Sequence, residues 1–392
     1  MRNDRLNEIY IIRALAIIAV LFVHATSRGV VETMETGSLS FTVYNSFNTL
    51  FRFGTPTFIL LSAFVIFYNY YRRPIDSHLI KGFYKKRLLY ILVPYTLVSL
   101  GYYWFKVVVY NTDPAFSVFA GEFTVQLLTG KAHPHLYFVF ISIQFYLLFP
   151  LLLYVFKRYR WLTPHLIWVG LVLQWTFVLL NNLYFQVPNK GSWSLSYLAY
   201  FFTGAYIGIY FHSIRDWLTG AHLKNKFETL AWVLIWTAWG TATLLHIYVW
   251  HQLRLYDTVF DTRLFELLWN VQTLTSAVIL FQVAFYIQRT ASPFVIRALT
   301  QLGIVSFGVY LYHPFLLMVW ENYALSGDTT LLFLSVFGLG FALVLAVSWA
   351  VTYFFMMKVP ASWILFGAGP RLRPKKPSEA AVDTKEKRYK EN

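Results

Sequence analysis

The sequence predicts an all-α protein, a polytopic transmembrane bundle of about ten helices with both its N-terminus and its C-terminus in the cytoplasm. Three observations carry that expectation. Of 392 residues, 57% are hydrophobic and only 13% charged, about half the charged share of a soluble domain. The mean hydropathy is +0.51. The apolar residues also fall in runs long enough to cross a hydrocarbon core of roughly 30 Å, which takes about 20 residues. The absence of cysteine removes disulfides, thiolate metal sites and a Cys nucleophile together. A formal charge of +15 would suggest a polyanion partner for a soluble protein. In a membrane protein it is read by its position relative to the bilayer, and no nucleic-acid partner is expected.

Taken in order, spans are expected at 9–27, 47–71, 88–109, 135–156, 163–183, 193–211, 229–250, 264–287, 303–322 and 331–356, each boundary good to several residues. The first apolar run is followed by Thr26, Ser27 and Arg28 and has no small-residue cleavage pattern, so it reads as a retained span. Arg72, Arg73, Lys81, Lys85, Lys86, Arg87, Lys157, Arg158 and Arg160 fall on one side of the spans, while Lys131, Lys190, Arg254 and Arg263 fall on the other. The richer side is assigned to the cytoplasm. Residues 1–360 are expected to form one membrane domain. Residues 361–392, charged and poor in apolar side chains, are expected to be a disordered basic cytoplasmic tail able to touch anionic membrane lipid.

Within the first span, Arg13 and His24 are eleven residues apart. On a helix this is three turns plus roughly 20°, and about 16 Å of rise. Both therefore share one face, with the Arg toward the cytoplasm and the His toward the outside. Ionisable residues inside a span mark function unless they merely snorkel or make a local polar contact. Arg52, followed by Gly54 and Pro56, enters the second span from outside at a depth close to that of His24. There it can bind an anionic acceptor, stabilise an oxyanion, or pair with Glu32 or Glu35 at the surface. The run from Lys81 to Tyr95, KGFYKKRLLYILVPY, is either the positive-inside signal or a phosphate site at the inner mouth. His133 and His135 are expected at the outer start of the fourth span. His313, next to Pro314 and near Ser306 and Tyr310, is expected in a buried polar network, either structural or catalytic. No two His lie three or four residues apart, so no metal is assigned.

The segments RALAIIAVLFVH, FRFGTPTFILLSAF, FYKKRLLYILVPY, HLYFVFISIQFYLLFP and LGIVSFGVYLYH, in this order, resemble the bacterial acyltransferase-3 family of integral membrane proteins. The likeness is to members without a fused extracellular domain. It implies an O-acyltransferase of surface glycans in the cell membrane. Acyl-coenzyme A, usually acetyl-coenzyme A, is the implied cytoplasmic co-substrate, and a glycan or lipid-linked sugar hydroxyl at the outer face the implied acceptor. On this resemblance His24 matches the essential His, Arg13 the essential Arg of the same helix, and Arg87 the first Arg of an Arg-x-x-Arg motif. Tyr90 stands where that motif has its second Arg, with Lys85 and Lys86 upstream. Ser62 matches the Ser of a Ser-Gly-Phe-like motif, in which Ala63 replaces the Gly.

Together these expectations make His24 a general base, with Arg52 or a Ser or Tyr from another helix as oxyanion donor and Arg13, Lys86 and Arg87 holding the donor's phosphates. Ser62, His135 and His313 are further candidates, and a covalent acyl-His or acyl-Ser62 intermediate stays open. The rival class is an exporter of a glycan or small molecule that uses the same polar face as its path; a non-catalytic scaffold is a third reading.

Overall fold

A computed structural model describes residues 6–110, 114–220, 225–323 and 330–367, and every regular element among them is helical. In the first half these are α1 (Asn7–Thr33), α2 (Leu39–Leu50), α3 (Gly54–Tyr70), α4 (Ser77–Arg87), α5 (Val93–Val109), α6 (Phe116–Thr129) and α7 (Tyr137–Arg158). The second half contains α8 (Leu166–Leu180), α9 (Leu198–Leu218), α10 (Lys226–Tyr256), α11 (Thr262–Thr290), α12 (Pro293–Tyr323), α13 (Thr330–Lys358) and the short α14 (Trp363–Phe366). The end of the bundle at which α1 begins is called basal below, and the opposite end distal.

Among the described residues, nine helical stretches are long and apolar enough to cross a membrane, and they coincide with nine of the ten expected spans. The protein is a multi-pass membrane protein. The tenth expected span is α9, which carries Tyr, Thr, Gly and His among its apolar residues. A helix enclosed by other helices does not need a lipid-compatible surface, and α9 is buried along most of its length. Its Gly204 and Gly208 lie against the Leu60 and Phe64 carbonyls of α3. This is the small-residue spacing that lets two membrane helices touch backbone to backbone. Gly54 of α3 meets α1 in the same way: a Cβ there would stand 2.7 Å from the Ala16 carbonyl oxygen. Gly303 of α12 rests on the Tyr10 carbonyl of α1. Helices α1, α3, α9 and α12 thus make the tightly packed centre. Helices α8 and α10 present Trp168, Val172, Val233 and Leu244 outward, all more than half exposed.

Two of the spans that begin well before their expected starts are broken where proline predicts it. The second begins at Leu39, and α2 joins α3 through a single 3-10 turn, Phe51–Phe53. Pro56 has no N–H to give the Arg52 carbonyl, so the ladder tightens there. The third begins at Ser77 and includes the basic run. Pro94 cannot bond the Tyr90 carbonyl, and the ladder widens to a π turn over Leu88–Leu92.

Helix α6 was not foreseen. At 14 residues it rises about 21 Å, too little to cross the core. It runs back along α5, with the Tyr103 hydroxyl donating to Glu122 at 2.7 Å near its middle and the Tyr95 hydroxyl to the Leu127 carbonyl at 2.6 Å near its end. Gly130, in the left-handed region at φ +69°, then turns the chain toward α7. Only residues 131–133 are non-helical before the 3-10 turn Pro134–Leu136 opens the next span.

The expected tail is partly ordered. Residues 361–367 pack on the bundle through α14, whose Phe366 is buried against Tyr312 and Phe355. From 368 onward the expected tail lies outside the described residues.

Candidate active site

At the basal end, the Arg13 Nε donates to the Ser306 hydroxyl of α12 at 3.2 Å. Ser306 in turn donates to the Gly303 carbonyl at 2.9 Å. Arg87, the last residue of α4, lies over the ring of Tyr146 from α7, 5.4 Å from its centroid. The Tyr146 hydroxyl meets Ser62 Oγ of α3 at 2.8 Å, and both Tyr146 and Arg87 are within electrostatic reach of Arg13. Four helices therefore bring Arg13, Arg87 and Ser62 to one place around a tyrosine that no sequence signal singled out. Lys86 is exposed on the outside of α4 and does not join them, because neighbouring helical residues point about 100° apart.

Ser62 is consequently at the wrong level to carry an acyl group to His24. Helix α3 meets α1 at Ala16 and Val20 through Gly54, and Ser62 lies about 12 Å further toward the basal end. Tyr90 is also accounted for: the π turn sends its ring against Trp363 of α14, edge-on at 5.5 Å. It takes no place beside Arg87.

Three turns along α1, His24 faces a group of imidazoles. Its ring centroid is 5.1 Å from that of His313 on α12, which is 5.9 Å from His135. His133 and His135 approach through their Nδ1 atoms at 2.7 Å, so one of the two carries the shared proton. His133 directly precedes the fourth membrane-crossing stretch, Pro134–Arg158, and His135 lies in its first turn. The turn after α6 brings them down against Tyr102 and Tyr310, with His135 buried and the Tyr310 hydroxyl donating to the His135 carbonyl. His313 Nδ1 lies 3.0 Å from the Val309 carbonyl. Since a carbonyl only accepts, that nitrogen holds the hydrogen and Nε2 is left as an acceptor. It is buried without a partner among the described residues, as is Nε2 of His135. Among the described residues no three His, Asp or Glu side chains are arranged to hold a metal ion.

Pro314 gives α12 a gap in its ladder beside His313, and α5 uses it. The Tyr102 hydroxyl donates to the Leu311 carbonyl at 3.1 Å and accepts from Phe315 N at 3.2 Å, so it stands inside the bond that would otherwise join those residues. Tyr102→Phe is expected to cost about 1–3 kcal/mol, measured as a lower unfolding midpoint in detergent. An unchanged midpoint would mean that the ladder closes without the hydroxyl.

Arg52 does not join the histidines directly. The 3-10 turn points it at α10, where its guanidinium lies 4.2 Å from the Trp250 ring centroid and donates to Asn48 Oδ1 at 3.2 Å. It pairs with neither Glu32, which bonds Arg28, nor Glu35 among the described residues.

A family profile described as an acyltransferase domain, of the acyltransferase-3 type, matches residues 6–353. The chain belongs to the acyltransferase-3 family. Curated relatives of this acyltransferase are similar over most of their length. One from Staphylococcus aureus strain MRSA252, named a probable poly-beta-1,6-N-acetyl-D-glucosamine export protein, is 24% identical over 354 residues, covering 86% of this chain and 89% of the relative. A protein of the same name from Staphylococcus epidermidis is 22% identical over 347 residues, covering 86% and 88%. No solved structure matches the chain. Both the basal arginine group and the distal histidine group of the acyltransferase fall inside the matched region.

Proposed function

We propose that the chain moves an acyl group, acetyl in the simplest case, from cytoplasmic acyl-coenzyme A to a hydroxyl of a glycan or lipid-linked sugar at the outer face of the cell membrane. The observation that carries this reading is the pairing on α1 of an arginine group at the basal end with an imidazole group three turns away. Coenzyme A has a polyphosphate head and a long, thin, neutral arm ending in the reactive sulfur. Arg13 and Arg87 suit the head, since guanidinium groups bind phosphate oxygens in a fixed fork. The rise of about 16 Å along α1 suits the arm.

At the distal end His24 takes the proton of the acceptor hydroxyl, and that oxygen attacks the thioester carbonyl. The tetrahedral oxyanion then collapses, the carbon–sulfur bond breaks, and the coenzyme A thiolate leaves with the proton from the imidazolium. The free Nε2 of His313 beside His24 suits a second hydroxyl of the acceptor, because a buried acceptor gains most from a donor that arrives with the substrate. Direct transfer is favoured over an acyl-Ser62 route by the distance of Ser62 from His24.

The test is transfer of labelled acetyl from acetyl-coenzyme A to a polysaccharide acceptor by the protein in proteoliposomes. Arg87→Ala should raise the KM for the donor about ten- to a hundredfold with a smaller change in kcat. An unchanged dependence on donor concentration removes Arg87 from the donor site.

A second reading, glycan export, is favoured by the names of the relatives. It requires movement of glycan across the vesicle wall without acyl donor, and a His24-dependent requirement for acetyl-coenzyme A argues against it.

A further inference from the structure

Arg52 has a companion that sequence spacing could not reveal. Arg254 of α10 lies over the same Trp250 ring, 4.5 Å from its centroid. It donates to Asn45 Oδ1 at 2.8 Å and to Asn48 Oδ1 at 3.3 Å. Two guanidinium groups therefore share one indole and one amide oxygen, and each is only partly exposed. Like charges at such separation repel, and neutral amides and a π face compensate them only in part. No carboxylate pairs with either guanidinium among the described residues, although the end of α1 with Glu32 and the end of α10 with Asp257 lie at the same end of the bundle. Buried or half-buried cations in a membrane protein are normally matched by a partner.

The support around the pair is rigid. Trp250 Nε1 donates to His246 Nε2 at 2.9 Å, and His246 Nδ1 meets Gln272 Oε1 at 2.5 Å. Gln272 Nε2 donates to the Thr49 and Leu50 carbonyls, both at 3.0 Å. Asn48 Nδ2 reaches the other way, to the Val23 carbonyl at 3.1 Å and to the Thr26 and Ser27 hydroxyls at 3.3 Å. That is the turn of α1 on which His24 stands. On its other side Arg52 is within electrostatic reach of Tyr137, two residues from His135. The two arginines are thereby tied through Asn48 to the turn of α1 that carries His24, and Arg52 through Tyr137 to the segment that carries His135.

We propose that Arg52 and Arg254, braced on Trp250 and Asn48, form a subsite for an oxyanion carried by the acceptor substrate or its lipid, a phosphate in either case. The proposal rests on the acyltransferase reading and names the chemistry of its acceptor: a phosphate-bearing carrier, held by the fork geometry of two guanidiniums while a sugar hydroxyl reaches His24. This is a ground-state binding role, distinct from stabilising the charge that develops on the thioester oxygen.

The test reads binding, so it does not depend on transfer. Full-length protein is placed in phosphatidylcholine nanodiscs, and its unfolding midpoint is followed as sodium phosphate replaces sodium chloride at constant ionic strength. A second set of discs contains phosphatidylglycerol and no added phosphate. The wild type should be stabilised in at least one set. Arg52→Gln and Arg254→Gln should each weaken the response about tenfold or more, and His24→Ala should keep it. A response to free phosphate assigns the site to the phosphate of a substrate, and a response to phosphatidylglycerol alone assigns it to a lipid headgroup. If a glutamine variant fails to fold, Arg254→Lys keeps the charge but loses the fork and should still weaken the response. No wild-type response in either set, or an equal response in the arginine variants, overturns the proposal. Loss of transfer in His24→Ala with the phosphate response intact leaves the two claims separately judged.

Discussion

His24→Ala is expected to insert and fold and to lose acyl transfer by about 10²- to 10⁴-fold, the usual contribution of a positioned general base. The side chain is only partly buried and makes its ring contact with His313, so its removal leaves the helix contacts at Gly54 and Gly303 in place. The measurement is transfer of labelled acetyl in proteoliposomes, alongside the unfolding midpoint as a control for folding. Because His313 and His135 stay behind, some residual activity is expected. Wild-type turnover in a well-folded His24→Ala protein would sink the general-base assignment.

Gly303→Ala is expected to have the largest structural effect of any single methyl group. A Cβ at this position would overlap the Tyr10 carbonyl, which is backbone and has no rotamer to escape into. Helix α12 must then move from α1. Overpacking of this kind costs about 1–3 kcal/mol, sometimes more. One turn further along α12 is Ser306, the partner of Arg13, so the same displacement should pull the arginine group apart. A lower unfolding midpoint together with a raised KM for acyl-coenzyme A is the expected pair of results. A wild-type midpoint and wild-type kinetics would mean that the two backbones are not in contact in the membrane.

The span pattern was legible because the need for long apolar runs leaves little else that the sequence can encode. The register of Arg13 and His24 was legible because helix geometry converts spacing directly into direction. What lay hidden depends on contacts between distant segments. Tyr146 stands between Arg87 and Ser62 only because α3, α4 and α7 converge. Arg254 became visible as the partner of Arg52 only when α10 was set against α2. The burial of His135 against Tyr102 and Tyr310 could not be read from its place at the start of a span, because it depends on how the chain returns from α6. Arg52 was expected beside His24 on depth alone, and depth does not fix the side of a helix. For the same reason the basic run gave Arg87 and Lys86 equal standing, although their directions on α4 differ.

The glycine contacts at the centre bear on how far the helices can move against one another. A carrier that works by alternating access has to open a seam between two halves of its bundle, first on one side and then on the other. In this chain the seams between α1, α3, α9 and α12 are closed by backbone resting on backbone at Gly54, Gly204, Gly208 and Gly303. Such contacts do not slide or part without losing packing over their whole length. The centre is therefore a set of four helices fixed to one another, and any movement that separates two of them has to break a backbone contact first.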